Sequence, residues 1–110
     1  MAYTPSVRFV ETSVFTRRLL AVLDDGDYLR LQMYLIEHPE AGVVIRGTHA
    51  LRKLRWAASG RGRRGGLRVI YRWMRSEGTF EMLFIYRKSE QSDLTAEQMR
   101  ALRAMTGGAR

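Results

Sequence analysis

Residues 51–75, LRKLRWAASGRGRRGGLRVIYRWMR, restrict this chain more than any other stretch. Two segments of alternating character flank SGRGRRGG at residues 59–66, where four glycines in eight residues would penalise a strand and therefore mark a turn. On the first segment Leu51, Lys53, Arg55 and Ala57 share one parity, opposite to Arg52, Leu54 and Trp56. On the second, Leu67, Val69, Tyr71 and Trp73 face one way and Arg68, Ile70, Arg72 and Met74 the other. The pattern predicts an antiparallel pair with one apolar face and one basic face.

The charge is concentrated in the same place. Ten basic residues and no acid lie between Glu40 and Glu77, whereas the whole chain has 19 basic and 11 acidic residues. The rest of the chain thus holds nine cations against eleven anions, and the formal charge of +8 originates in this block. A field of one sign over one sheet face suits a phosphate backbone better than it suits solubility, for which surfaces mix both signs.

With 110 residues the chain fits one two-layered domain, set here at residues 1–105 with 106–110 as a fraying tail. There is no cysteine, which excludes disulfides and thiolate chemistry, and the only histidines, His38 and His49, supply a metal site poorly. The first residues do not read as a signal peptide. No apolar run exceeds the five residues of 82–86, far short of a membrane span, so a cytoplasmic protein without membrane contact is expected.

Either side of the basic block, the periodicity defines the other elements. Residues 7–11 read as a short strand. Thr12 or Ser13 would cap a helix carrying Phe15, Leu19, Val22 and Leu23 on one stripe. Residues 24–27, DDGD, open a second helix with Tyr28, Leu31, Leu35 and Ile36 inward, stopped at His38-Pro39. A strand over residues 80–86, apolar on both faces, is expected to be covered on both. Thr95 with Gln98 forms a capping box for a last helix burying Met99, Leu102 and Met105. The expected class is α+β: two N-terminal helices, an antiparallel sheet of three to four strands and a C-terminal helix.

Paired across the turn, the two strands would gather Lys53, Arg55, Arg68 and Arg72 on one face. Four cations cannot be buried there unpaired, so the face must meet solvent or an anion. Arg61, Arg63 and Arg64 in the turn read equally as a phosphate grip or as a flexible basic loop. Trp56, Tyr71 and Trp73 have core parity, and Tyr86 is the aromatic placed to stack on a base. From the residues alone, Lys88 is a surface lysine, Glu90 or Asp93 helps cap the last helix, His38 is a helix stop, and His49 is a single histidine within reach of the basic face.

The segments LRKLRWA, the turn ending in Gly65-Gly66, LRVIYRW and YRKSEQSDLT, with the two preceding helices, resemble the RelE/ParE superfamily of bacterial toxins, and more narrowly its HigB-type members. The resemblance spans about residues 7–102. It implies the RelE-like fold and a type II toxin that cleaves mRNA in the 30S A site of the ribosome without metal or cofactor. In that reaction the ribose 2′-hydroxyl attacks the adjacent phosphate. By position, Arg68 matches the arginine that holds the scissile phosphate, Lys88 the basic residue after the third strand, and Lys53 and Arg55 the cations of the preceding strand. Arg61, Arg63, Arg64, Arg72 and Tyr86 would contact RNA. The last helix lacks the His or Tyr that some relatives use, leaving Lys88, Lys53 and Glu90 as candidate bases. The implied partners are the ribosome, mRNA and an antitoxin with a helix-turn-helix. Competing readings are a non-catalytic nucleic-acid-binding module, as in double-stranded RNA-binding domains of αβββα order, and a ParE-like gyrase poison.

Overall fold

A computed structural model describes residues 6–58 and 66–106. The elements are β1 (Arg8–Glu11), α1 (Ser13–Val22), α2 (Asp25–Glu37), β2 (Val43–Val44), β3 (Arg52–Trp56), β4 (Leu67–Met74), β5 (Thr79–Arg87) and α3 (Ala96–Met105). The sheet order is β1-β5-β4-β3-β2, with β1 parallel to β5 and every other pair antiparallel. The expected α+β class and the β3–β4–β5 meander are present. The sheet has five strands and is mixed, larger than the antiparallel sheet of three to four strands expected. The parallel edge arises because α1 and α2 carry the chain from β1, beside β5, to β2 at the opposite edge.

Local chemistry explains the boundaries. Thr12 caps α1, its Oγ1 accepting from the Phe15 amide at 3.0 Å and donating to the Leu83 carbonyl at 2.8 Å. Asp24 caps α2 through the Asp27 amide at 2.8 Å, and α3 opens with the expected Thr95–Gln98 capping box. A 3₁₀ turn at Arg75–Glu77 ends on Gly78 at φ 59°, where a side chain would also meet the Ser6 carbonyl oxygen at 2.8 Å.

The sheet buries both faces of its middle. On one side Phe80, Tyr71, Val69 and Leu54 pack against Phe15, Leu19, Leu31 and Leu35 of α1 and α2. On the other, Ile70, Phe84 and Leu51 pack against Leu102 of α3. A register shift in the β4–β5 ladder opposes Ile70 to Phe84 and Tyr71 to Met82, leaving Leu83 as the extra residue. This bulge lets β5 supply Phe80 and Met82 to one core and Phe84 and Tyr86 to the other. Tyr71 locks the end of α2: its hydroxyl donates to the Pro39 carbonyl at 2.8 Å and accepts from the Gly42 amide at 3.0 Å.

Three apolar positions differ from their expected burial. Ile36 and Met105 are 44% and 49% exposed, and Met99 is only half-buried. Leu31 and Leu35 alone turn α2 into the sheet with full burial, and α3 seats itself chiefly through Leu102.

Three phenols, Tyr71 and Tyr86 buried and Tyr28 partly so, give this fold an alkaline limit. Burial raises the pKa of Tyr28, Tyr71 and Tyr86, and for Tyr28 the bond its hydroxyl donates to Glu11 at 2.7 Å adds to the rise. The native chain therefore retains phenolic protons that the unfolded chain releases near pH 10, so stability is complete below that pH and falls as pH rises beyond it. Urea midpoints are expected to be level at pH 8–9.5 and to decline steeply by about pH 11, with a shallower decline in Tyr28→Phe.

Candidate functional site

The cross-strand register builds the basic face in rows. Arg55 of β3 lies opposite Arg68 of β4, which lies opposite Tyr86 of β5. In the next row come Lys53, Ile70 and Phe84, and further along Arg72 faces Glu81. Lys53, Arg55, Arg68 and Arg72 thus share one face, as the alternation predicts. Opposed arginines repel, so the Arg55–Arg68 pair is there at some cost to the sheet.

The acid-free block acquires acids once folded. Arg72 donates from Nε to Glu81 at 2.9 Å, and Lys53 Nζ lies 3.1 Å from Asp93 Oδ1. Arg72 and Lys53 are therefore each paired with a carboxylate from outside the block. Arg55 is exposed, whereas Arg68 is 7% exposed, with its Nη1 3.3 Å from the Leu67 carbonyl oxygen. A guanidinium tolerates such burial because it is weakly hydrated and always charged.

Tyr86 requires a correction. It is fully buried, with its ring 5.9 Å from that of Phe84, so it presents no free face for stacking on a base. Its hydroxyl has no hydrogen-bond partner among the described residues. Burial raises its pKa, the Asp93 charge adds to the rise and Arg68 opposes it. Tyr86 is thus a protonated phenol with an unused donor, flanked by the cation and the carboxylate of this face.

The loop after β5 separates the two acids that sequence treats alike. Glu90 turns to the α1 side, where its Oε1 accepts from the Arg87 amide at 3.1 Å and lies 3.3 Å from Arg18 Nη2. Arg18 also donates from Nε to the Ile85 carbonyl at 2.6 Å, covering the β5 edge beyond β1. These contacts engage Glu90, a candidate base, with Arg18 and Arg87. Asp93 turns toward the basic face. The Leu94 amide, 2.8 Å from Oδ1, and then Lys53 lower the Asp93 pKa, keeping it ionised.

Lys88 is exposed, its amide donating to the Gly66 carbonyl at 2.9 Å, which extends the ladder past the Arg68–Tyr86 row. His49 is exposed in the loop before β3, and His38 ends α2 with its ring 4.9 Å from that of Tyr34. Arg61, Arg63 and Arg64 lie outside the described residues, as does most of the expected tail. Among the described residues no group of three His, Asp or Glu side chains is arranged to hold a metal ion. A cleft of about 650 Å³ between the end of α2 and the end of β4, lined by Tyr34, His38, Trp73 and Arg75, includes none of the expected site residues.

No protein-family model matches the sequence. Solved structures do. A double arginine-to-alanine mutant of the E. coli toxin RelE in the free state superposes with a TM-score of 0.56, at 9% identity, covering 93% of this chain and 98% of that one. The fold is that of RelE. The isolated E. coli RelE toxin gives a TM-score of 0.52 at 13% identity over 91% of this chain and 99% of RelE. A chain of the intact E. coli RelBE toxin–antitoxin complex gives 0.50 at 14% identity, over 74% and 96%. On this RelE-like frame the basic row is carried by β3 and β4, between the two sheet edges, and the loop leading to α3 brings Asp93 to it.

Proposed function

We propose that this chain is the toxin of a type II toxin–antitoxin system, an endoribonuclease that cleaves mRNA in the ribosomal A site by 2′-hydroxyl attack on the adjacent phosphate. The observation that carries the reading is the Arg55–Arg68 row on a RelE-like sheet, next to Lys53 and the exposed Lys88. Attack at phosphorus builds negative charge on the equatorial oxygens, and converging guanidinium and ammonium groups on a rigid strand stabilise that charge without reorganising. Arg68 would hold the phosphate from the sheet, Arg55 and Lys53 would flank it, and Lys88 would approach from the end of β5. The ribosome would align the ribose and phosphate, which reduces what the protein must supply. The likeness to RelE, which is known in a toxin–antitoxin complex, supports an antitoxin partner, which would cover this face or lock the sheet. The HigB-type assignment and a cytoplasmic site of action belong to the same proposal.

Induced expression with mapping of mRNA ends tests it. The expected result is growth arrest with translation-dependent breaks near codon boundaries. Arrest without breaks but with gyrase-linked DNA damage would replace this reading with a gyrase poison, and RNA binding without toxicity would replace it with a passive binding module.

A further inference from the structure

We infer that Asp93 is the general base of the cleavage reaction, its carboxylate taking the proton of the ribose 2′-hydroxyl while Lys53 beside it meets the phosphate. The inference rests on the endoribonuclease reading and assigns the base, which that reading leaves open.

The geometry favours Asp93 over Glu90 and Glu81. Both of its bonds, from the Leu94 amide at 2.8 Å and Lys53 Nζ at 3.1 Å, converge on Oδ1. Oδ2 makes no hydrogen bond among the described residues, and the side chain is 68% exposed, so this oxygen can receive a ligand. Glu90 is engaged by Arg18 and Arg87. Glu81 is bound to Arg72, whose Nη1 reaches the Thr106 carbonyl at the end of α3. An exposed Lys–Asp pair adds little to folding, so stability does not account for the contact between Asp93 and Lys53.

Asp93 is also held in place. Gln91 Nε2 donates to the Asp93 carbonyl at 2.9 Å and to Gln98 Oε1 at 2.8 Å, and Gln98 closes the capping box with Thr95. The backbone on both sides of the carboxylate is fixed before substrate arrives, as a positioned base requires. The attacking 2′-oxygen is tethered to the phosphorus through only three atoms, C2′, C3′ and O3′. A phosphate held by Lys53 therefore brings that hydroxyl to the carboxylate next to Lys53.

The step balances without a co-reactant. Asp93 takes the 2′-hydroxyl proton, the O2′–P bond forms, the P–O5′ bond breaks, and water protonates the departing 5′-oxygen. The products are a 2′,3′-cyclic phosphate and a 5′-hydroxyl, and Asp93 returns its proton to solvent. Lys53 from β3 pairs with Asp93, and the charges of Asp93 and of Arg68 from β4 act in opposite senses on the Tyr86 phenol of β5. The Leu94 amide and Lys53 keep the carboxylate ionised and burial keeps the phenol protonated, a separation typical of groups that divide base and donor roles.

The test is single-turnover cleavage of a defined mRNA on programmed ribosomes between pH 5 and 9, for wild type, Asp93→Asn and Asp93→Glu, with ribosome binding measured in parallel. Asp93→Asn retains an acceptor for Leu94 and Lys53 but cannot take the proton. It is expected to bind within about threefold of wild type and to cleave about 10²–10⁴-fold more slowly at pH 7. Its deficit should shrink as pH rises, because hydroxide takes over the base role. Asp93→Glu should retain the wild-type pH dependence at a reduced rate, and it carries the test if the asparagine variant does not fold. A rate within threefold of wild type, a deficit constant at every pH, or a glutamate variant with the asparagine profile overturns the base assignment alone. Wild type that does not cleave overturns the endoribonuclease reading, and this inference with it.

Discussion

Arg68→Ala is expected to lower single-turnover mRNA cleavage by about 10²–10³-fold and to abolish growth arrest, while the chain still folds. Arg68 occupies the middle of the site row, with Arg55 opposite on β3 and Tyr86 opposite on β5. At 7% exposure its guanidinium is desolvated, which strengthens its field at a phosphate oxygen relative to an exposed lysine. The truncation removes a buried side chain but also relieves the Arg55–Arg68 opposition, so the thermal midpoint should move by only a few degrees. Arg68→Lys keeps the charge but loses the planar fork, and recovery of no more than about tenfold is expected. Cleavage by Arg68→Ala within threefold of wild type would remove this residue from the mechanism.

How far the sequence discloses this site depends on the residue. The face shared by Lys53, Arg55, Arg68 and Arg72 follows from strict alternation in two strands joined by a glycine-rich turn. Cross-strand register then fixes which cations are opposed. The inner position of β5 is similarly legible, because a strand apolar on both faces must be covered on both. The pairing of β1 is not, since four residues of strand pattern cannot reveal a parallel partner some seventy positions away. Nor is β2, two exposed valines without alternation. Asp93 was hidden for a different reason. Its local role, bonding the Leu94 amide just before the capping box, explains an aspartate there completely, and the contact with Lys53 forty positions earlier exists only in the fold. Tyr86 has a parity that fits either a stacking platform or a covered ring, and the aromatic and aliphatic neighbours beneath α3 decide for burial.

Phe80→Ala is expected to cost about 3–5 kcal/mol, enough to remove much of the stability of a domain whose total is about 5–15 kcal/mol. The ring is fully buried between Phe9, 4.8 Å away and nearly parallel, and Trp73 at 4.3 Å, with Tyr71 tilted at 6.1 Å. It therefore joins β1, β4 and β5, and β1 has only four paired residues with which to remain on the sheet without it. Urea denaturation should show a midpoint lowered by roughly half, whereas Phe80→Leu, which fills more of the space, should lose less than half as much. This ring lies on the face opposite Arg68, in the core under α1 and α2. The fraction of Phe80→Ala that remains folded should accordingly cleave at the wild-type rate. Its free-energy change should also add to that of Arg68→Ala within about 0.5 kcal/mol, because the two side chains share no partner among the contacts described. A coupling well above that value would mean that the apolar core and the basic face communicate through β4, the strand that carries Arg68 and both Tyr71 and Trp73.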